Sequence, residues 1–388
     1  MWEICLVYEI LEENLLDRMS RNNLEPVHLC KIRALAQQMF QALSGLKSSG
    51  VVHGDIKLDN IMFVEEESLK IKLIDFGLAR KAKELVTGSN IQITPFRAPE
   101  VILGLPMDES IDMWALGVVL ATVYRGDLPF PCDTEYQTIR GMVQIFGLPE
   151  EELLNAGEYT EYFFSRDEDR LDPCWKLKTP DEFTQSSGEQ LEDVDHVADL
   201  DAMIEIHQEL FDLYDDDDHR AFNNLLKRLL EVNPKKRITP SQALAHDFIT
   251  MRHLSGENKA SYAATAENIM RKIQLEDVKV DLAAPLNTSS VESSDEDQET
   301  PVLDVSTADT TDINEASPAA AESEPTTPSS CSSSRSNPCE ELITQKKMDM
   351  AEEQKIDKVK ENISARGNKK QNPSKWKQSM SGPCTETS

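Results

Sequence analysis

The chain of 388 residues has no Cys-x-x-Cys pair; its seven cysteines, at 5, 30, 132, 174, 331, 339 and 384, are scattered and odd in number. That pattern excludes a regular disulfide frame and the common zinc spacings, and it fits reduced, intracellular thiols. Positive charge is short as well: 40 Lys and Arg stand against 70 Asp and Glu, a formal net charge of −30. Such a surface repels phosphate backbones, which argues against direct nucleic-acid binding and fits basic protein partners better. There is no long hydrophobic run. A membrane span needs about 20 apolar residues, and MWALGVVLATVY at 113–124 falls short, so it reads as a buried core helix and no membrane is expected. The opening MWEICLVYEILEEN lacks a basic lead-in and is not a signal peptide. Hydrophobic residues make up 39% of the chain. That is modest, and it suits one packed domain of about 250 residues with unpacked chain appended.

Local patterns divide the sequence. ICLVYE at 4–9 reads as a strand, and KIKLID at 70–75 as another. Ile32, Leu35, Met39, Leu43 and Leu46 recur at helical spacing within 27–50, and Gly50 ends that helix. Residues 109–125 and 219–231 are further helices. Thr239 is placed as an N-cap with Pro240 at the first helical position. The acidic run DLYDDDDH at 212–219 lacks the Gly and distal Glu of a calcium loop, so it reads as a solvated approach to a helix. From about 285 onward Ser, Thr, Pro and Glu dominate, and the chain is expected to be disordered.

The densest chemistry is HGDIKLDN at 53–60, between apolar runs. Phosphoryl transfer needs a carboxylate for the attacking hydroxyl, oxygen ligands for Mg²⁺ and a cation for the transferring group. Asp55, Asn60 and Lys57 are those residue types. Asp75, at a strand end before Phe76 and Gly77, offers a second metal carboxylate.

These residues resemble the protein kinases. His53, Asp55, Lys57 and Asn60 match the catalytic loop, Asp75-Phe76-Gly77 the metal-binding turn, and Ala98-Pro99-Glu100 the motif that closes the activation segment. The resemblance implies that Asp112, in DMWALG, holds the catalytic-loop backbone, and that Arg237 pairs with Glu100. Arg97 before that closing motif resembles the branch of cyclin-dependent, MAP and dual-specificity kinases. LVYEILEENLLD, VILGLPMDESIDMW, GLPEEELLNAG and WKLKTPDEF resemble homeodomain-interacting protein kinases over about residues 3–255.

The resemblance implies an α+β, protein-kinase-like fold, mainly its helical C-terminal lobe. The kinase domain is expected over residues 1–255, starting at the hinge strand, while composition leaves 256–388 as an acidic Ser/Thr/Pro-rich tail expected to be mostly disordered. It implies a serine/threonine kinase using ATP and Mg²⁺. Asp55, Lys57, Asn60 and Asp75 are catalytic, with Asn60 and Asp75 on the metal. Tyr8 matches the gatekeeper, Glu9 and Leu11 the hinge, and Met62 and Ile74 line the pocket floor. No Gly-rich loop, strand lysine or helix glutamate of a small lobe is found in the sequence. Two further departures matter. Ile93 stands where the family places Ser or Thr, with Thr94 one position away, and Asn90 stands where these kinases carry an activating Tyr.

Three readings stay open: an active kinase, a nucleotide-binding module, and an inactive scaffold that binds protein partners. The implied partners are protein substrates, transcription regulators among them. The implied location is the nucleus, with the cytoplasm open. Lys369, Lys370, Lys375 and Lys377 read as a solvated tail rather than an import patch, and Thr300, Ser317 and Thr327 precede prolines by composition alone.

Overall fold

The computed structural model describes residue 5, residues 7–89, 91–131, 133–166, 174–191, 207–208 and 210–283. Asn90 and the whole expected tail from 285 lie outside them, together with the phosphosite and lysine-patch positions.

Helix α1 spans Leu15–Arg21, with the Asn14 side chain capping the Asp17 N–H. Helix α2 spans Leu29–Ser48 and buries Ile32, Leu35, Met39 and Leu43 as the spacing predicts. Gly50, at φ +62°, turns the chain out of it. Strands β1 (Val51–Val52), β2 (Ile61–Phe63), β3 (Ile71–Leu73) and β4 (Arg80–Lys81) make two antiparallel ribbons, β1 with β4 and β2 with β3. Short helix α3 (Pro99–Ile102) precedes α4 (Ser110–Arg125), whose residues 111–124 are all buried. Each Val, Leu or Ile sealed from water there contributes about 1.5–3 kcal/mol, so α4 is the axis of the core, as its apolar sequence predicts.

Around it lie α5 (Glu135–Phe146), α6 (Glu151–Ala156), α7 (Thr160–Phe163), the hairpin β5 (Phe164–Arg166) with β6 (Trp175–Leu177), and α8 (Pro180–Ser187). Helices α9 (Asp216–Leu229), α10 (Pro240–Leu244), α11 (Asp247–Thr250) and α12 (Ala260–Ala283) follow. Thr239 caps α10 reciprocally with Gln242, and Pro240 is its first residue. The described chain is therefore mainly helical with small sheets, as expected.

Two local expectations fail. Residues 7–10 form no strand; Val7 and Ile10 are 94% and 97% exposed. A strand needs a neighbour for its backbone groups, and no described strand pairs its backbone with them. The acidic run is not solvated throughout: Asp215 is the N-cap of α9, and Asp218 is fully buried. Its carboxylate takes Arg33 from α2, His253 at 2.8 Å and the Tyr262 hydroxyl at 2.6 Å. Three partners remote in sequence explain why the run alone does not reveal it. Tyr262 lies on α12, just past residue 255, and that helix packs on α2 with Ala266, Met270 and Ile273 buried.

Candidate active site

The loop at 53–60 hangs from α4. Asp112 Oδ2 accepts the His53 N–H at 2.7 Å, and Oδ1 accepts the Gly54 N–H at 2.9 Å. Burial pushes the Asp112 carboxyl up to about 6, while those two N–H groups oppose the shift by favouring the charged form. Gly54 sits at φ +75°, and a Cβ there would stand 2.6 Å from the Ile91 side chain. Glycine is required twice over, by backbone and by space.

His53 is buried and supports the loop. Its Nε2 meets the Ile74 carbonyl at 3.0 Å, so that nitrogen donates, and Nδ1 accepts the Asp55 N–H at 3.2 Å. Burial holds its pKa below the usual histidine value. The Phe76 ring packs edge-on at 4.8 Å.

The structure brings three of the four expected catalytic residues into direct contact. Lys57 Nζ lies 2.8 Å from Asp55 Oδ2. Asn60 Nδ2 donates to the same Oδ2 at 2.9 Å and to the Asp55 carbonyl at 2.8 Å. Asp55 Oδ1 is buried with no partner, which is an acceptor waiting for a donor. The fourth, Asp75, is coupled through the backbone. Ile74 donates its N–H to the Asn60 carbonyl at 3.0 Å, which fixes the next residue beside the loop. Asp75 is exposed, in the left-handed region at φ +61°, with Oδ1 accepting the Gly77 N–H at 3.1 Å. The charges of Asp55 and Asp75 both act on His53.

The donor set suits magnesium. With its amide nitrogen committed to Asp55, Asn60 has Oδ1 to offer, and Asp75 offers a carboxylate from the adjoining turn. Hard oxygens of that kind, few in number, are how Mg²⁺ is held when phosphates complete its shell.

The expected nucleotide floor is arranged along the same ribbon. Met62 pairs with Lys72 across β2 and β3, and also bridges Asn14. Ile74, the residue after β3, is half-buried. The hinge candidates follow the edge: Glu9 makes an ion pair with Lys72, Leu11 is half-buried, and Glu12 donates its N–H to Phe63 at 3.0 Å. Tyr8 is 78% exposed.

Before Ala98 the segment is pinned by a residue that sequence reasoning missed. Gln92 is buried at φ +66°; its amide nitrogen donates to the Ile111 carbonyl, and its amide oxygen accepts the Ala98 N–H, both at 2.9 Å. Its own carbonyl receives Arg97 through Nε and Nη2 at 3.1 and 2.6 Å. Ile93 is half-buried and Thr94 buried. The only signal in the sequence was Arg97. Further back, Glu100 and Arg237 form a fully buried pair, as the motif implies.

The family model "Protein kinase domain" matches residues 2–249. Homeodomain-interacting protein kinase 2 of Mesocricetus auratus is 42% identical over 260 residues, covering 64% of this chain and 22% of that protein. Homeodomain-interacting protein kinase 1 of Mus musculus is 38% identical over 298 residues, covering 73% and 24%. The Caenorhabditis elegans protein of the latter name is 35% identical over 283 residues, covering 69% and 34%. The matched region thus spans about a fifth to a third of these curated relatives.

Proposed function

This chain belongs to the protein kinase family, and on that premise we propose that it transfers the γ-phosphoryl group of ATP to serine or threonine hydroxyls of protein substrates. The observation that carries the reading is Asp55. One of its carboxylate oxygens is held by Lys57 and Asn60, and the other is buried without a partner. A substrate hydroxyl donating to Oδ1 would be oriented for attack, and its proton would have an acceptor. Lys57 would steady the transferring group. Asn60 and Asp75 would hold Mg²⁺, which when bound supplies the positive charge that offsets the phosphates. The floor of Met62 and Ile74, with the hinge backbone of Glu9 and Leu11, would take the adenine. Protein substrates follow from the family; the serine/threonine preference and nuclear location rest on resemblance to the homeodomain-interacting kinases.

A scaffold that binds partners without transfer is the second reading. It is favoured by the exposed Val7, Tyr8 and Ile10, next to the hinge candidate Glu9 in sequence, and by Ile93 in place of a hydroxyl. A labelled-phosphate transfer assay separates the two. The purified chain, with Mg²⁺ and a serine- and threonine-containing peptide pool, should transfer label, and Asp55→Asn and Asp75→Ala should not. No transfer by the unaltered chain would leave the scaffold reading standing and end the catalytic one.

A further inference from the structure

A cleft of about 320 Å³ opens between α1, the start of α2, the β2–β3 turn and α12, and it shares no residue with the candidate active site. Its floor is aliphatic. Leu69 and Ile269 are half-buried and Ile273 is buried. The rim is basic for a chain of net charge −30: Arg18, Arg21, Lys31 and Lys272 face Glu66 and Glu67.

These cations differ in what they already do. Arg18 is committed: it bonds Glu13 at 2.7 Å and two carbonyls of the β2–β3 turn, and its guanidinium lies 3.3 Å over the Phe63 ring. Arg21 bonds Glu13 at 2.6 Å but reaches Glu66 only at 3.5 Å, with its side chain 53% exposed. The ammonium groups of Lys31 and Lys272 are exposed and have no ion-pair or hydrogen-bond partner among the described residues. Lys31 also stands in the first turn of a 20-residue helix, where the backbone already presents positive charge. His28 beside it is held below its usual pKa, by burial first and also by the charge of Lys31. Two unneutralised lysines from separate helices, over an aliphatic floor, make a surface complementary to carboxylates that flank an apolar side chain.

We propose that this cleft docks an acidic segment of a protein partner. Its carboxylates meet Lys31, Lys272 and Arg21, and an aliphatic side chain rests on Leu69 and Ile269. The site needs neither nucleotide nor phosphoryl transfer, so its success or failure is separate from that of the kinase reading.

Fluorescence anisotropy with the full chain tests it. The probe is a short fluorescein-labelled peptide of alternating Glu and Leu. Saturable binding is expected, weakening as salt rises. Lys31→Glu combined with Lys272→Glu should weaken it at least about tenfold, as reversal of interfacial charge does, with an unchanged melting temperature. Matched peptides with Lys for Glu, or Ser for Leu, should bind less. The proposal is overturned if the Glu/Leu peptide shows no saturable binding, if the double reversal leaves binding intact, or if either matched peptide binds as well. Competition by an inositol polyphosphate but not by unlabelled peptide would likewise overturn it, in favour of a small-anion site.

Discussion

Arg237 grips Glu100 with both arms of its guanidinium, at 2.6 and 2.8 Å, and neither side chain is reached by solvent. The pair joins the end of the activation segment to the turn before α10. The arginine also lies 5.2 Å from the Trp114 ring centroid, over the core helix. Removing one partner leaves the other charge buried and alone. Arg237→Leu should therefore lower unfolding free energy by about 3–5 kcal/mol, read as a shifted urea midpoint. A loss under about 1 kcal/mol would mean the pair behaves as a surface one.

Acid should destabilise this fold, although its buried groups pull in opposite directions. Burial holds His207 down to about 4 and His219 down to about 3. The unfolded chain takes up those protons near pH 6.5, so folded stability falls as pH drops through 6.5 toward 4. Asp112, pushed up to about 6, works the other way: the folded state binds its proton first, so stability rises as pH falls from 6 toward 4. Two histidines outweigh one carboxylate. By linkage, these three groups together should remove about 2 kcal/mol between pH 7 and pH 5, and the lowered His28, His53 and His246 add to the loss; chemical denaturation at the two pH values measures it. A flat or rising profile would refute the assignment of both imidazoles as buried and neutral.

Gly54→Ala should be costly for two separable reasons. The left-handed backbone disfavours any side chain, by about 1–2 kcal/mol, and the new methyl would meet Ile91. Pairing it with Ile91→Ala removes the collision and keeps the backbone strain. The double variant should thus lose less than the sum of the two single ones in thermal melts. Strict additivity would show that the collision is absent.

The catalytic reading predicts a split between binding and transfer. Asp55→Asn should reduce transfer by about 10²–10⁴-fold while leaving the ATP-induced rise in melting temperature in place. Asp75→Ala should instead remove the magnesium dependence of that rise. Thermal-shift titrations with ATP, with and without Mg²⁺, check both.

Much of this site could be read from the chain because its parts are local. Asp55, Lys57 and Asn60 lie within one loop, so their spacing predicts their contact. The Thr239 cap and the Gly50 stop are decided by neighbouring residues. What stayed hidden depends on partners far away in sequence. Asp218 looked like one acid among four until Arg33, His253 and Tyr262 closed on it. His207 and His219 carry no motif, yet one stacks on the Tyr124 ring and the other bonds its hydroxyl. Of the strand expected at 4–9, the described residues 7–9 form none, for a related reason: alternation and β-branched content describe a residue's preference, while pairing requires a neighbour.

The Asp218 carboxylate fastens α2, α9 and the start of α12 at one point, and the helix beyond it covers Cys30 and Ala34 on α2. A recombinant fragment trimmed near residue 255 would strip that cover. It would leave a half-satisfied acid and a greasy seam open to water, inviting precipitation and proteolytic nicking. The shortest well-behaved product should run past Ile273.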